Sequence, residues 1–252
     1  MIYIKKSKEI DWIRKSSEIL RKVFEKVDSE IRVGLKAKEL DEIIHDEIRR
    51  MGAEPAFLGY RGYPASSCIS FNEEVVHGIP DERRFERGDV IKVDIGVRYK
   101  GYFSDAAKTY YLNDNNNLDV NRLLNGTKLA LLNGMEAIRE GIKLGNVSNA
   151  IEKTAKMFNL GVIKLLGGHG VGIFLHEDPF VPNFGEPEVG PVLKEGYVLA
   201  IEPMFSLGTG EVKEKGDGWT YVTRDGSLAA HFEETVLVTK YGYENLTKVV
   251  YG

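Results

Sequence analysis

The chain has a single cysteine, Cys68, in 252 residues, so neither an intrachain disulfide nor a thiolate zinc cluster is available to it. No apolar run approaches the ~18 residues that a membrane-spanning helix needs. Charge of neither sign predominates. The 34 Lys and Arg stand against 38 Asp and Glu, a net charge of −4 and not the basic field on which nucleic-acid binding rests. The opening residues, Met1 to Lys6, lack the apolar core and the small-residue cleavage site of a signal peptide. These absences predict a cytoplasmic protein with no membrane and no specific nucleic-acid partner. One local basic run, Lys5, Lys6, Lys8, Arg14, Lys15, Arg21 and Lys22, opens the first helix. A solvated helix face accounts for it; transient docking on the ribosome is the alternative.

What is present is an ordinary globular composition, 42% hydrophobic and 29% charged, in a chain long enough to bury a substantial core. Apolar spacing predicts four helices. The first starts from Ser7 as N-cap and runs through Ile13, Leu20, Phe24 and Val27 to about Ile31. The second carries Leu40, Ile44 and Ile48 and stops at Gly52. The third covers roughly Leu118 to Glu140, and the fourth carries Val147, Ile151 and Ala155 and ends near Gly161. Each pair precedes a strand-rich stretch.

The chain also repeats itself. Ile31-Arg32-Val33-Gly34-Leu35-Lys36 matches Ile138-Arg139-Glu140-Gly141-Ile142-Lys143, and Arg87 to Asp94 matches Glu195 to Glu202 at almost the same offset. Two shorter echoes, His77-Gly78-Ile79-Pro80 and His176-Glu177-Asp178-Pro179, lie between them. The unit is helix, helix, antiparallel sheet, used twice, with the polar stretch Asn113 to Asn117 as the joint. Two such sheets side by side place a cleft on the pseudo-twofold axis.

The acids fall where this duplication puts them. Asp94 and Asp105 sit on adjacent strands of one predicted hairpin, in apolar surroundings. The second half is expected to repeat them as Glu202 and Glu233, with a loop from about Leu207 to Trp219 between their strands. Four carboxylates on one axis repel one another unless cations join them, and two divalent ions about 3.5–4 Å apart resolve the conflict. His169, in Gly167-Gly168-His169-Gly170-Val171-Gly172, is a fifth candidate ligand, with glycines that permit close approach. Singly, each residue has an ordinary structural reading; together they do not.

The motifs Gly59-Tyr60-Arg61-Gly62-Tyr63-Pro64, Cys68-Ile69-Ser70, Asn72 to Pro80, Gly168 to Gly172 and Ile201-Glu202-Pro203-Met204 resemble type I methionine aminopeptidases, and the resemblance covers essentially the whole chain. It implies the pita-bread fold, an α/β (α+β) arrangement of two pseudo-twofold-related halves sharing one core. It implies a single catalytic domain over residues 1–252, with halves at about 7–112 and 118–245. The implied metal ligands are Asp94, Asp105, His169, Glu202 and Glu233, holding two divalent ions: cobalt, manganese, iron(II) or zinc. His77 and His176 match the family histidines beside the substrate, and Glu202 the catalytic acid–base. Tyr60, Tyr63, Cys68 and Trp219 match the methionine pocket, while Phe57 and Leu175 depart from the usual residues but stay apolar. The implied substrate is the N-terminal Met of nascent polypeptides before a small second residue, and the family precedent is a monomer. Two readings compete: a same-fold peptidase acting before proline, and a non-catalytic binding protein that has kept the fold.

Overall fold

The computed structural model describes residues 2–113 and 116–250, so Asp114 and Asn115 of the expected joint lie outside the described residues. The first half comprises helices α1 (Ser7–Glu30) and α2 (Ala37–Arg50), then strands β1 (Glu54–Pro55), β2 (Cys68–Phe71), β3 (Glu74–Val76), β4 (Val90–Tyr99) and β5 (Tyr102–Tyr111). The second begins with α3 (Leu118–Glu136) and α4 (Gly145–Met157), followed by β6 (Gly161–Val162), β7 (Gly167–Gly170), β8 (Glu177–Pro182), β9 (Val198–Ile201) and β10 (Met204–Ser206). It closes with β11 (Val212–Glu214), β12 (Tyr221–Thr223), β13 (Ala229–His231), β14 (Glu234–Val238) and β15 (Tyr243–Asn245). The helix, helix, antiparallel-sheet unit therefore occurs twice, as the repeat predicts.

Ser7 is the first helical residue of α1, not its N-cap. Glu9 does the capping, its carboxylate accepting the Lys6 N–H at 2.7 Å, and Glu39 does the same for Lys36 at 3.0 Å before α2. A carboxylate in the first turn also complements the helix dipole. The inner stripe of α1 and α2 (Leu20, Phe24, Leu40, Ile44) packs on Ile91, Val93 and Ile95 of β4. Each such side chain contributes about 1.5–3 kcal/mol on burial. The outer face of α1 is laced with ion pairs: Arg14 with Glu244, Lys15 and Lys22 with Glu18, Arg21 with Glu25. A solvated helix face thus accounts for most of the basic run.

The halves meet along β5 and the segment joining β13 to β14. Ala107 and Glu233 face each other in an antiparallel bridge, the Glu233 N–H donating to the Ala107 carbonyl at 2.9 Å. To one side, the Thr109 hydroxyl donates to the His231 carbonyl (2.5 Å) and accepts the His231 N–H (3.0 Å). To the other, the Thr235 hydroxyl donates to the Asp105 carbonyl (2.7 Å) and accepts the Asp105 N–H (3.0 Å). Rotation about the central bridge carries Thr109 onto Thr235 and Asp105 onto His231. Strand register agrees, since Gly96↔Asp105 has its counterpart in Met204↔His231.

This corrects the expected match of Asp105 with Glu233. That match paired acid with acid, whereas the backbone pairs threonine with threonine, and Glu233 is the counterpart of Ala107. Asp94 and Glu202 do correspond, because Asp94 lies opposite Ala107 and the ladder Ile201↔Glu234 continues to set Glu202 opposite Glu233. The outer strands also agree. Ser70 of β2 lies opposite Lys92 and His169 of β7 opposite Ala200, and the same offset that separates Ser70 from His169 separates His77 from His176.

The joining segment between β10 and β13 is longer than expected. It runs to Leu228 and carries the β11–β12 hairpin, whose β12 pairs with β3 of the first half. Strands of three residues are too short for their alternation to be read from sequence.

The residues ahead of α1 are fastened to the second half. The Lys5 N–H donates to the Gly196 carbonyl at 2.9 Å, and its ammonium reaches Glu177 at 2.6 Å, both side chains almost wholly buried. The other Glu177 oxygen accepts the N–H groups of Ile173 and Phe174, fixing the turn that carries His176. Burial holds the Lys5 ammonium below its ordinary pKa, against the pull of Glu177. Lys5→Met leaves that carboxylate buried and unpaired, and should lower stability by about 3–5 kcal/mol. Urea denaturation of the metal-free protein checks this; an unchanged midpoint would show that the pair contributes nothing.

Candidate metal centre and substrate cavity

A cavity of about 400 Å³ opens between the halves. Its floor holds Asp94, Asp105, His169, Glu202 and Glu233, and its walls hold the histidines and aromatics. Each floor residue is delivered by regular structure. Asp94 and Asp105 lie on one face of the β4–β5 hairpin, since residues opposite and two apart share a face. Glu202 follows β9, where Pro203 has no N–H for the ladder. His169 sits in β7, whose glycines are required: a Cβ on Gly168 would lie 2.2 Å from the Ala200 carbonyl oxygen, and one on Gly170 2.2 Å from that of Asp178.

The residues present fit divalent cations. Asp94 Oδ1, Asp105 Oδ1 and Glu233 Oε1 are buried without a hydrogen-bond partner among the described residues. His169 donates its Nδ1–H to the Gly170 carbonyl at 2.9 Å, which leaves Nε2 as the free donor atom. That nitrogen lies 3.6 Å from Glu202 Oε1 and 3.9 Å from Asp105 Oδ2. Two donor atoms each about 2.0–2.2 Å from one ion are separated by about 3–4 Å, so these spacings suit ligands of a common ion better than direct bonds. Asp105, His169 and Glu233 offer three donor atoms within 4.8 Å of one another.

Burial pushes Glu202 up to about 7 against the pull of His169, and burial with repulsion from neighbouring acids pushes Asp94 up to about 7 and Asp105 and Glu233 well above the carboxylate range. The histidines move the other way. Burial holds His77 at about 4, helped by His231, and His176 at about 3, helped by His169 and His77. Both imidazoles are therefore neutral at pH 7.

The walls are built as locally as the floor. Asp41 of α2 accepts the Ser67 N–H at 2.8 Å and its hydroxyl at 2.7 Å, and so sets the entry to β2 and Cys68. The Tyr63 hydroxyl donates to the carbonyls of Gly78 (2.9 Å) and Ser67 (3.1 Å), which leaves its ring edge against Trp219 at a centroid distance of 5.1 Å. Asp217 accepts the N–H groups of Trp219 and Thr220 and fixes the tip of the β11–β12 hairpin. Tyr60 reaches across to His176, with its hydroxyl 3.0 Å from Nδ1. Phe57, Tyr60, Tyr63, Cys68, His77, His176 and Trp219 all line the cavity. Leu175 does not; it packs behind the wall against Phe57, Tyr63 and Cys68.

One residue escaped the sequence reading. His231 is 1% exposed, beneath the floor, with Nε2 3.2 Å from Glu202 Oε2 and 3.8 Å from Glu233 Oε2. Burial holds its imidazole at about 4, against the pull of Asp94. The available signal was Thr109 against Thr235, which a search for matching acids passes over.

Residues 11–240 match the model of metallopeptidase family M24. The chain is 42% identical over 249 residues to methionine aminopeptidase 1 of Bacillus subtilis, covering 99% of this chain and all of that one. It is 44% identical over 252 residues to methionine aminopeptidase of Aquifex aeolicus, covering 96% and 97% respectively. The crystal structure of methionine aminopeptidase from Thermotoga maritima superposes with a TM-score of 0.96 at 42% identity, over 98% of this chain and 99% of that one. Prolidase from Pyrococcus furiosus follows the same fold more distantly, with a TM-score of 0.80 at 27% identity over 97% of this chain and 65% of its own. Both solved structures have the pita-bread fold, as this chain does. On sequence, on fold and on the donor set at the cavity floor, the chain belongs to metallopeptidase family M24 and, within it, to the methionine aminopeptidases.

Proposed function

We propose that this chain removes the N-terminal methionine from nascent polypeptides whose second residue is small, as one catalytic domain with two divalent ions held by Asp94, Asp105, His169, Glu202 and Glu233. The observation that carries this reading is the convergence of those five side chains at the closed end of a cavity with an apolar wall. One imidazole and four carboxylates suit cobalt, manganese, iron(II) or zinc. Bound there, such ions supply Lewis acidity, lowering the pKa of water and polarising a carbonyl.

The rest of the reaction belongs to the protein. Asp94, Asp105, His169, Glu202 and Glu233 would hold the cations. Glu202 takes a proton from the attacking water and returns it to the leaving amine. His176, oriented by the Tyr60 hydroxyl on Nδ1, presents Nε2–H to the carbonyl oxygen as charge develops there. His77 faces the scissile amide nitrogen from the other side. Tyr63, Trp219, Phe57 and Cys68 exclude water around an unbranched thioether, which suits a flexible sulfur beside aromatic rings.

Hydrolysis of Met-Ala peptides, with no cleavage of Xaa-Pro peptides, is the expected activity; the reverse preference would assign the prolyl-directed reading. Trp219→Ala should raise KM for Met-Ala or shift selectivity toward Leu. Equal kinetics on Met, Leu and norleucine peptides in that variant would make Trp219 a purely structural residue.

The three histidines separate by measurement. His169→Ala should lose metal and activity together. His77→Ala and His176→Ala should keep metal in calorimetric titration while kcat falls by about 10²–10³, His176 the more severely. Loss of metal from either as great as from His169→Ala would reverse these roles.

Metal uptake should also release protons. With Asp94 and Glu202 titrating near 7 and Asp105 and Glu233 higher, binding at pH 7 must displace protons, of which those on Asp94 and Glu202 are already gone at pH 8.5. Affinity should therefore fall as pH drops, most steeply below about 7. Calorimetry in buffers of different ionisation enthalpy reads the count directly, and a count that does not change between pH 7 and 8.5 would contradict the raised values.

A further inference from the structure

His231 takes part in none of the steps above, yet it is built into the centre. Its side chain is 1% exposed, and neither ring nitrogen has a hydrogen-bond partner among the described residues. An unsatisfied buried polar group of this kind is costly, so its placement needs a reason. The seam supplies one, because His231 is the pseudo-twofold counterpart of Asp105, and its backbone is held by Thr109 as that of Asp105 is held by Thr235. The fold therefore offers two equivalent places beside the axis.

The distances point the same way. Nε2 is 3.2 Å from Glu202 Oε2 and 3.8 Å from Glu233 Oε2, the separation expected of donors around one ion at about 2.0–2.2 Å each. Glu202, His231 and Glu233 offer donor atoms within 4.8 Å of one another, a second set beside that of Asp105, His169 and Glu233. Glu202 shows Oε1 to His169 and Oε2 to His231, so its carboxylate lies between two imidazoles.

We propose that Nε2 of His231 is a further metal ligand of this chain, completing a donor set with Glu202 and Glu233. The inference rests on the metal centre proposed above. The imidazole in that set biases it toward cobalt and zinc over manganese.

Nuclear magnetic resonance of the full-length protein loaded with Co(II) tests this without any substrate. Two hyperfine-shifted, exchangeable imidazole N–H signals are expected in the wild type, one from His169 and one from His231. His231→Gln should lose one of them. Its Kd for Co(II) should weaken by more than the ~10–100-fold typical of an outer hydrogen-bond partner, and that for Mn(II) by less. Metal-free His231→Gln should melt near the wild type; His231→Asn serves as the second variant if glutamine packs poorly. A wild type that takes up Co(II) but shows a single shifted N–H, retained in both variants, overturns this proposal and leaves the centre intact. A wild type that takes up no Co(II) overturns the centre and this proposal with it.

Discussion

The structure depends on one row of hydrogen bonds between its halves. Ala107 and Glu233 form the only direct backbone bridge of that row among the described residues, and the threonine hydroxyls of Thr109 and Thr235 bond to the facing backbones beside it. A hydroxyl can donate and accept at once, so each threonine satisfies a carbonyl and an N–H that would otherwise be buried unpaired. The two sheets are joined side by side, directly through backbone at the bridge and through threonine side chains on either side of it. Beside this row lies the cleft in which the five candidate metal ligands face one another.

Electrostatics then decides what the cleft can be. Four carboxylates in apolar surroundings are tolerable only if they share protons or cations, and their raised pKa values are the metal-free answer to that constraint. Neutral, buried imidazoles at His77 and His176 follow from the same burial. A floor of acids beneath neutral hydrogen-bond donors and an apolar wall is a division of labour by depth. Under the proposed function, the floor handles charge, the imidazoles orientation, and the apolar wall side-chain selection.

Much of this was legible in the sequence, because it rests on periodic or repeated features. The helices follow from apolar spacing, the hairpin carrying Asp94 and Asp105 from its strands and turn, and the two-half plan from the match of Arg87–Asp94 with Glu195–Glu202. What was not legible depends on register across the seam. Sequence comparison rewards like residues, so it set Asp105 against Glu233 and passed over His231, whose equivalence to Asp105 shows only in which backbone groups each threonine bonds. The β11–β12 hairpin and the position of Leu175 behind the cavity wall depend on three-dimensional packing alone.

The seam has a further consequence, for the order in which the molecule acquires its parts. Asp105 and Thr235 are 130 residues apart, and Thr109 and His231 122, so closing the row costs more chain entropy than any hairpin within a half. Neither half alone has the whole proposed donor set, since Asp94 and Asp105 come from one and His169, Glu202 and Glu233 from the other. A cation seated between them therefore favours the docked state over the separated one by its own binding free energy. Cations bound there would act as a clasp, and a newly made chain short of metal would have its halves held by hydrogen bonds and packing alone, its four acids keeping protons in place of the ions.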